Sequence, residues 1–132
     1  MSGNIEQTNA PGQARFDREM LESLGQKVIE TGTAFTDGTS RFEGAPMRAV
    51  LQRVGAKGQS IKATALNSYE IVIPWEDLKY DMILAMRSNG TLLTARDKGP
   101  LWIIYPRDEH SVLKHEVYDS RWTWQLSKLH VE

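Results

Sequence analysis

An α+β domain with a mixed or antiparallel sheet and short helices is what this sequence predicts, on three observations. Strand-like and helix-like segments are interspersed without a regular βαβ beat, which argues against a doubly wound parallel sheet. Asn89-Gly90 between two apolar runs is the strongest short hairpin signal in the chain. The run Leu101-Trp102-Ile103-Ile104-Tyr105-Pro106, entered through Gly99-Pro100, is too short for a helix and reads as a buried strand stopped by proline. With 132 residues, no boundary signal, no repeat and no low-complexity tract, residues 1–132 are expected to form one domain of the usual ~100–200 residues.

The elements follow in order. Asp17 can cap a short helix, Phe16 and Leu21 stand at the spacing of a hydrophobic staple, and Gly25 suits the position after its end. Residues 26–31, around Val28 and Ile29, suggest a strand, and residues 31–38 a polar loop punctuated by Gly32 and Gly38. Phe42-Glu43-Gly44-Ala45-Pro46 leads into a second helix, with Pro46 at the first helical position, where its missing N–H costs nothing. Met47, Val50, Leu51 and Val54 form its core stripe and Gly55 ends it. Ile61, Ala63 and Ala65 alternate as a strand; Asn67-Ser68 turns into a second strand at Tyr69-Glu70-Ile71-Val72-Ile73. Pro74 stops it and opens a helical turn, after which residues 82–86 form an apolar strand. Residues 109–118 read as a helix with Val112, Leu113 and Val117 inward, and residues 121–129 as a strand with Trp122, Trp124 and Leu126 on one face.

Composition narrows the function. With 40% hydrophobic and 25% charged residues, the chain can bury a sizeable core. A net charge of -1 gives no bulk attraction to nucleic acid or anionic lipid. No apolar run approaches the ~20 residues of a membrane-spanning helix. The absence of cysteine removes disulfides, thiolate metal ligands and cysteine nucleophiles together.

Two stretches carry possible chemistry. Arg96, Asp97 and Lys98 precede Gly99-Pro100, so a carboxylate and two cations stand on a stiff loop at the mouth of a core strand; a solvated turn is the commoner use of such residues. Tyr118-Asp119-Ser120-Arg121-Trp122-Thr123-Trp124-Gln125 gathers two indoles, a guanidinium and several hydrogen-bonding groups. Trp and Arg faces stack on flat heteroaromatic rings, although two Trp on one strand face are more often core or interface. Elsewhere the signals are weak. His110 and His115 are five apart and point to different sides of a helix, His115 and Asp119 are two ligands at most, and His130 stands alone. The carboxylate pairs Glu76-Asp77 and Asp108-Glu109 suit helix starts. The loop of residues 31–38 matches no phosphate-binding spacing.

Taken in order, Phe42-Glu43-Gly44-Ala45-Pro46-Met47, Ile71-Val72-Ile73-Pro74, Ile83-Leu84-Ala85-Met86 with Asn89-Gly90, and Lys98-Gly99-Pro100-Leu101-Trp102 resemble the molybdopterin-binding domain of the sulfite oxidase family over roughly residues 28–130. Arg96 to Trp102, Tyr105-Pro106 and Tyr118-Asp119-Ser120-Arg121 through Trp124-Gln125-Leu126 resemble the small stand-alone members more closely. The resemblance implies a sulfite-oxidase-like fold and a reduced pterin or molybdopterin-like ligand. The family's molybdenum enzymes hold the metal through a cysteine, and this chain has Thr31 or Thr33 at about that place; Trp102 replaces the arginine that follows the family's turn.

A hydroxyl is a poor substitute for a soft anionic ligand. The expectation is therefore a non-catalytic pterin-binding module without molybdenum, against the alternative of a molybdenum oxidoreductase with a non-cysteine ligand. In such a pocket Asp97 would accept from the ring N–H and exocyclic amine, Arg121 would bond an oxygen, and Trp124 or Phe35 would stack. Arg96, Lys98, Gly99, Tyr105 and Ser120 complete the implied set with Thr31 and Thr33. Because the small members are generally exported, the resemblance implies a periplasmic protein whose signal peptide, missing from Met1-Ser2-Gly3-Asn4-Ile5, has been removed. It also implies a partner, the periplasmic part of a membrane-bound cyclic-di-GMP enzyme.

Overall fold

The structure is a computed structural model that describes residues 1–34, 38–96 and 98–132. The first helix is α1 (Arg18–Ser23), where Asp17 caps the N-terminus by accepting from the Met20 N–H at 2.8 Å. Gly25, with φ +99°, follows its end as expected. Strand β2 (Lys27–Gly32) then pairs antiparallel with β3 (Thr39–Pro46). Pro46 is extended (φ -60°, ψ 131°) and precedes rather than opens α2 (Met47–Arg53), whose stripe Met47, Val50, Leu51 and Val54 is buried.

Strands β4 (Ser60–Ala65) and β5 (Glu70–Pro74) form the predicted hairpin. A 3₁₀ helix (Trp75–Tyr80) leads from it to β6 (Ile83–Ser88), which pairs with β3 on one edge. Its other edge takes β7 (Thr91–Leu92) and β8 (Trp102–Ile104). Asn89 and Gly90 make the β6–β7 turn with φ +52° and +83°, the left-handed pair that such a two-residue turn requires. The last strand, β9 (Leu126–Val131), joins β4 antiparallel and β1 (Ser2–Gly3) parallel. The described residues thus form two sheets, β1-β9-β4-β5 and β2-β3-β6-β7 with β8 on β6. One apolar cluster, running from Ile29, Phe42 and Leu51 through Ile61 and Ile73 to Trp102 and Trp122, joins them.

Two expected elements are not there. Residues 109–118 do not make one helix: 3₁₀ turns at Arg107–Glu109 and Ser111–Leu113 are followed by a single turn, α3 (Glu116–Asp119). Leu113 is buried, but Val112 and Val117 are about half exposed, so the apolar spacing had no second wall to pack against. Residues 121–125 are not strand either. Gln125 takes φ +51°, and bonds from Ile103 N to Thr123 O and from Leu126 N to Leu101 O tie this segment to the start of β8. Trp122 is buried while Trp124 is 36% exposed, so they do not share a face.

One buried polar cluster fixes this C-terminal segment. Asp77, in the Trp75–Tyr80 turn, is 1% exposed and accepts from Tyr105 Oη at 2.8 Å and Arg121 Nη1 at 2.7 Å through the same Oδ2. Burial, then the charge of Asp77 and its hydrogen bond, push the Tyr105 phenol well above the usual tyrosine range. Tyr105 therefore favours the native state while protonated, an advantage complete below pH ~10 and lost as pH rises above the pKa of unfolded tyrosine.

Three stability tests follow from this packing. At the β3–β6 register shift, a Cβ on Gly44 would overlap the carbonyl oxygen of Leu84; Gly44→Ala is expected to lower the unfolding free energy by about 3 kcal/mol in urea titration. Arg121→Ala, which leaves Asp77 charged without its counter-ion, is expected to cost ~3–5 kcal/mol. Tyr105→Phe should cost ~1–3 kcal/mol at neutral pH, and its urea midpoint should fall less steeply above pH 10 than that of the parent.

Candidate functional site

The β4–β5 turn and the segment after α3 face each other across a cleft of about 310 Å³. One wall is Asn67 and Tyr69; the other is Ser120, Trp122, Thr123 and Trp124. The first wall is set locally, because Asn67 Oδ1 accepts from the Tyr69 N–H at 3.1 Å and Ser68 turns the chain at φ +70°. The second is set by Asp77, through Arg121, and by Ala95 and Lys98 beside it. Gln125 N bonds Lys98 O and Gln125 Nε2 bonds Ala95 O. Lys98 Nζ stands 5.0 Å from the Trp124 ring centroid and 5.6 Å from that of Trp102, within cation–π reach of both.

The cleft mixes flat apolar faces with unused hydrogen-bonding groups. Thr123 Oγ1 and Trp122 Nε1 are buried without a hydrogen-bonding partner, and both residues line it. Asp119 also lines it, with its carboxylate paired to Arg107 Nε at 3.0 Å. Such a lining suits a planar heteroaromatic molecule with donors and acceptors on its edge.

Arg107, paired with Asp119 of the cleft, belongs to the turn that meets the end of β2. Next to it, the Asp108 N–H donates to Thr31 Oγ1 at 3.0 Å, and Asp108 Oδ2 accepts from the Gly32 N–H at 2.8 Å. Thr31 Oγ1 in turn donates to Gly32 O at 3.0 Å. Thr31 and Thr33 are both buried. The Thr31 hydroxyl is thus spent on holding the end of β2 to the Arg107–Glu109 turn.

The predicted residues separate into groups. Ser120 and Trp124 line the cleft and Lys98 stands beside Trp124, whereas Tyr105 and Arg121 point to Asp77 in the interior. Gly99 is required where it stands, since a Cβ would lie 2.5 Å from the backbone of Leu93. Arg96 is exposed on the turn. Phe35 and Asp97 lie outside the described residues. The sequence reading did not single out Asn67 or Tyr69, nor the burial of Asp77. The histidines serve local roles: His110 packs on Tyr80, His115 caps α3, and His130 Nδ1 is 2.8 Å from Ser2 Oγ. The Tyr118 phenol is raised by its hydrogen bond with Tyr80 and then by burial. Among the described residues no three His, Cys, Asp or Glu side chains gather as a metal site.

Comparison with known proteins fits this geometry. The family model described as "Oxidoreductase molybdopterin binding domain" matches residues 15–109, which stops short of the cleft's C-terminal wall. No curated protein matches the sequence. Among solved structures the fold is similar to the sulfane dehydrogenase SoxCD from Paracoccus pantotrophus, with a TM-score of 0.70 at 18% identity. That alignment covers 98% of this chain and 36% of the SoxCD chain, so the chain spans about a third of that protein's length. With the family model covering most of the chain and the architecture agreeing, the protein belongs to the oxidoreductase molybdopterin-binding domain family and has its sulfite-oxidase-like fold.

Proposed function

We propose that this domain recognises a reduced pterin in the Tyr69–Trp124 cleft and does not turn over a substrate. The observation that carries the reading is the pairing of aromatic walls with two buried, unpartnered polar groups, Thr123 Oγ1 and Trp122 Nε1, in a family fold built for pterin cofactors. A pterin supplies a flat ring whose edge alternates donors and acceptors. Tyr69 and Trp124 are the faces available to it, and Thr123, Trp122 and Asp119 supply a hydroxyl, an indole N–H and a carboxylate. One stack is worth ~1–3 kcal/mol, so with two or three hydrogen bonds micromolar binding is within reach.

A molybdenum centre fits the same residues poorly. The chain has no thiol, and the Thr31 hydroxyl already serves Asp108 and Gly32. A neutral hydroxyl does not stabilise a high-valent metal as a thiolate does. Recognition without turnover suits a sensor, and the reading extends to a periplasmic location and to a ligand-dependent contact with a membrane-bound cyclic-di-GMP enzyme. Both rest on the resemblance to the small stand-alone members of the family.

The test is titration of the purified protein with a tetrahydropterin, followed by tryptophan fluorescence. Trp124→Ala is expected to weaken binding tenfold or more, equivalent to about 1.4 kcal/mol, and Thr123→Val severalfold, with thermal stability of the Trp124 variant close to the parent. Unchanged binding in both variants refutes the cleft assignment. Stoichiometric molybdenum in protein from a cofactor-producing host would favour the oxidoreductase instead.

A further inference from the structure

A second hollow, of about 380 Å³, lies where both sheets meet both longer helices. Its apolar wall is Leu21 of α1, Val50 of α2, Leu84 of β6, Leu101 before β8, and Leu126 and Leu129 of β9. None of its lining residues belongs to the aromatic cleft. The volume falls at the small end of the ~300–1,000 Å³ range of small-molecule sites. At ~30 Å³ per water it is the room of about a dozen waters, and a methylene is of similar size. Val50 and Leu84, 1% and 2% exposed, are among the most deeply buried residues of its wall.

Charge defines the other end. The polar rim carries Arg15 and Lys128 and no carboxylate. Both are exposed, and neither has an ion-pair partner among the described residues, although nearby Arg18 and Arg87 are paired with Glu22. Phe16 lines this hollow and also a smaller one, with Met20 and Arg53, on its other side.

We infer that this hollow binds a monomeric fatty carboxylate of about twelve carbons, its chain along the leucines and its head between Arg15 and Lys128. Burying the chain supplies the affinity, and two cations with no ion-pair partner among the described residues select an anionic head over a neutral one.

The experiment is isothermal titration of the full chain with sodium dodecanoate below its micelle concentration. Saturable binding at one site per chain is expected, at least tenfold weaker in the double variant Arg15→Glu/Lys128→Glu and at least fivefold weaker for 1-dodecanol. Both substituted positions are exposed, and a matching far-ultraviolet circular dichroism spectrum confirms that the variant is folded. Affinity unchanged by the charge reversal, or the absence of saturable binding, overturns the inference. Sedimentation with phosphatidylglycerol vesicles without binding of free dodecanoate also overturns it, because the site would then read a membrane surface rather than a single molecule. Tetrahydropterin titration of the same double variant is expected to match the parent, keeping the two sites distinguishable.

Discussion

A single carboxylate governs how the C-terminal third of this protein sits. Asp77 lies in the 3₁₀ turn that carries the chain from one sheet to the other, and its Oδ2 accepts from Tyr105 at the end of β8 and from Arg121 beyond α3. A buried charge is costly unless several donors satisfy it, and here one neutral and one charged donor converge on one oxygen. The stacking of Tyr105 on Trp122, with centroids 6.3 Å apart and planes 14° from parallel, extends the same anchor into the apolar core. Residues 120–125 have no regular hydrogen-bonding ladder of their own. What orders the second wall of the cleft is therefore Asp77 below and the Lys98–Gln125 contact beside it.

Where structure has a local cause, the sequence was a good guide. The Asp17 cap, the Met47–Val54 stripe, the Ile61-Ala63-Ala65 alternation and the Asn89-Gly90 turn all stand where their patterns put them, because each is decided within a few residues. The two failures share one cause. Residues 109–118 and 121–125 carry apolar spacings that suit a helix and a strand. Their conformations are tied instead to partners far away in sequence: Tyr80 for His110 and Tyr118, and Asp77 and Lys98 for residues 121–125. Spacing reports which residues are apolar, not which surface is available to receive them.

The site was legible on one side only. The aromatic and polar run around Trp124 stood out by composition, and Ser120 and Trp124 do line the cleft. Asn67 and Tyr69 complete it from the β4–β5 turn, more than fifty residues away, and nothing in their spacing points to the tryptophans. Arg121 drew notice as a guanidinium among aromatics and Tyr105 only through the resemblance, and a buried ion-pair anchor looks the same in sequence. Asp77 looked like an ordinary acidic residue at a helix start, and only its burial separates it from Glu76.

Polar accounting gives the recognition reading its physical weight. At the end of β2, the Thr31 hydroxyl is engaged both ways: it accepts from the Asp108 N–H and donates to Gly32 O. At the aromatic cleft the balance is reversed, with Thr123 Oγ1 and Trp122 Nε1 buried and unsatisfied. An unmade hydrogen bond of this kind costs ~1–3 kcal/mol, so two of them are a large fraction of a small domain's stability. Trp102 Nε1, outside the cleft, is buried and unpartnered as well, but a ligand in the cleft could offer partners only to the other two, which would then contribute to affinity. Between these two places the capacity for new bonds therefore lies with the cleft rather than with Thr31, which is what the proposed recognition of a ring requires.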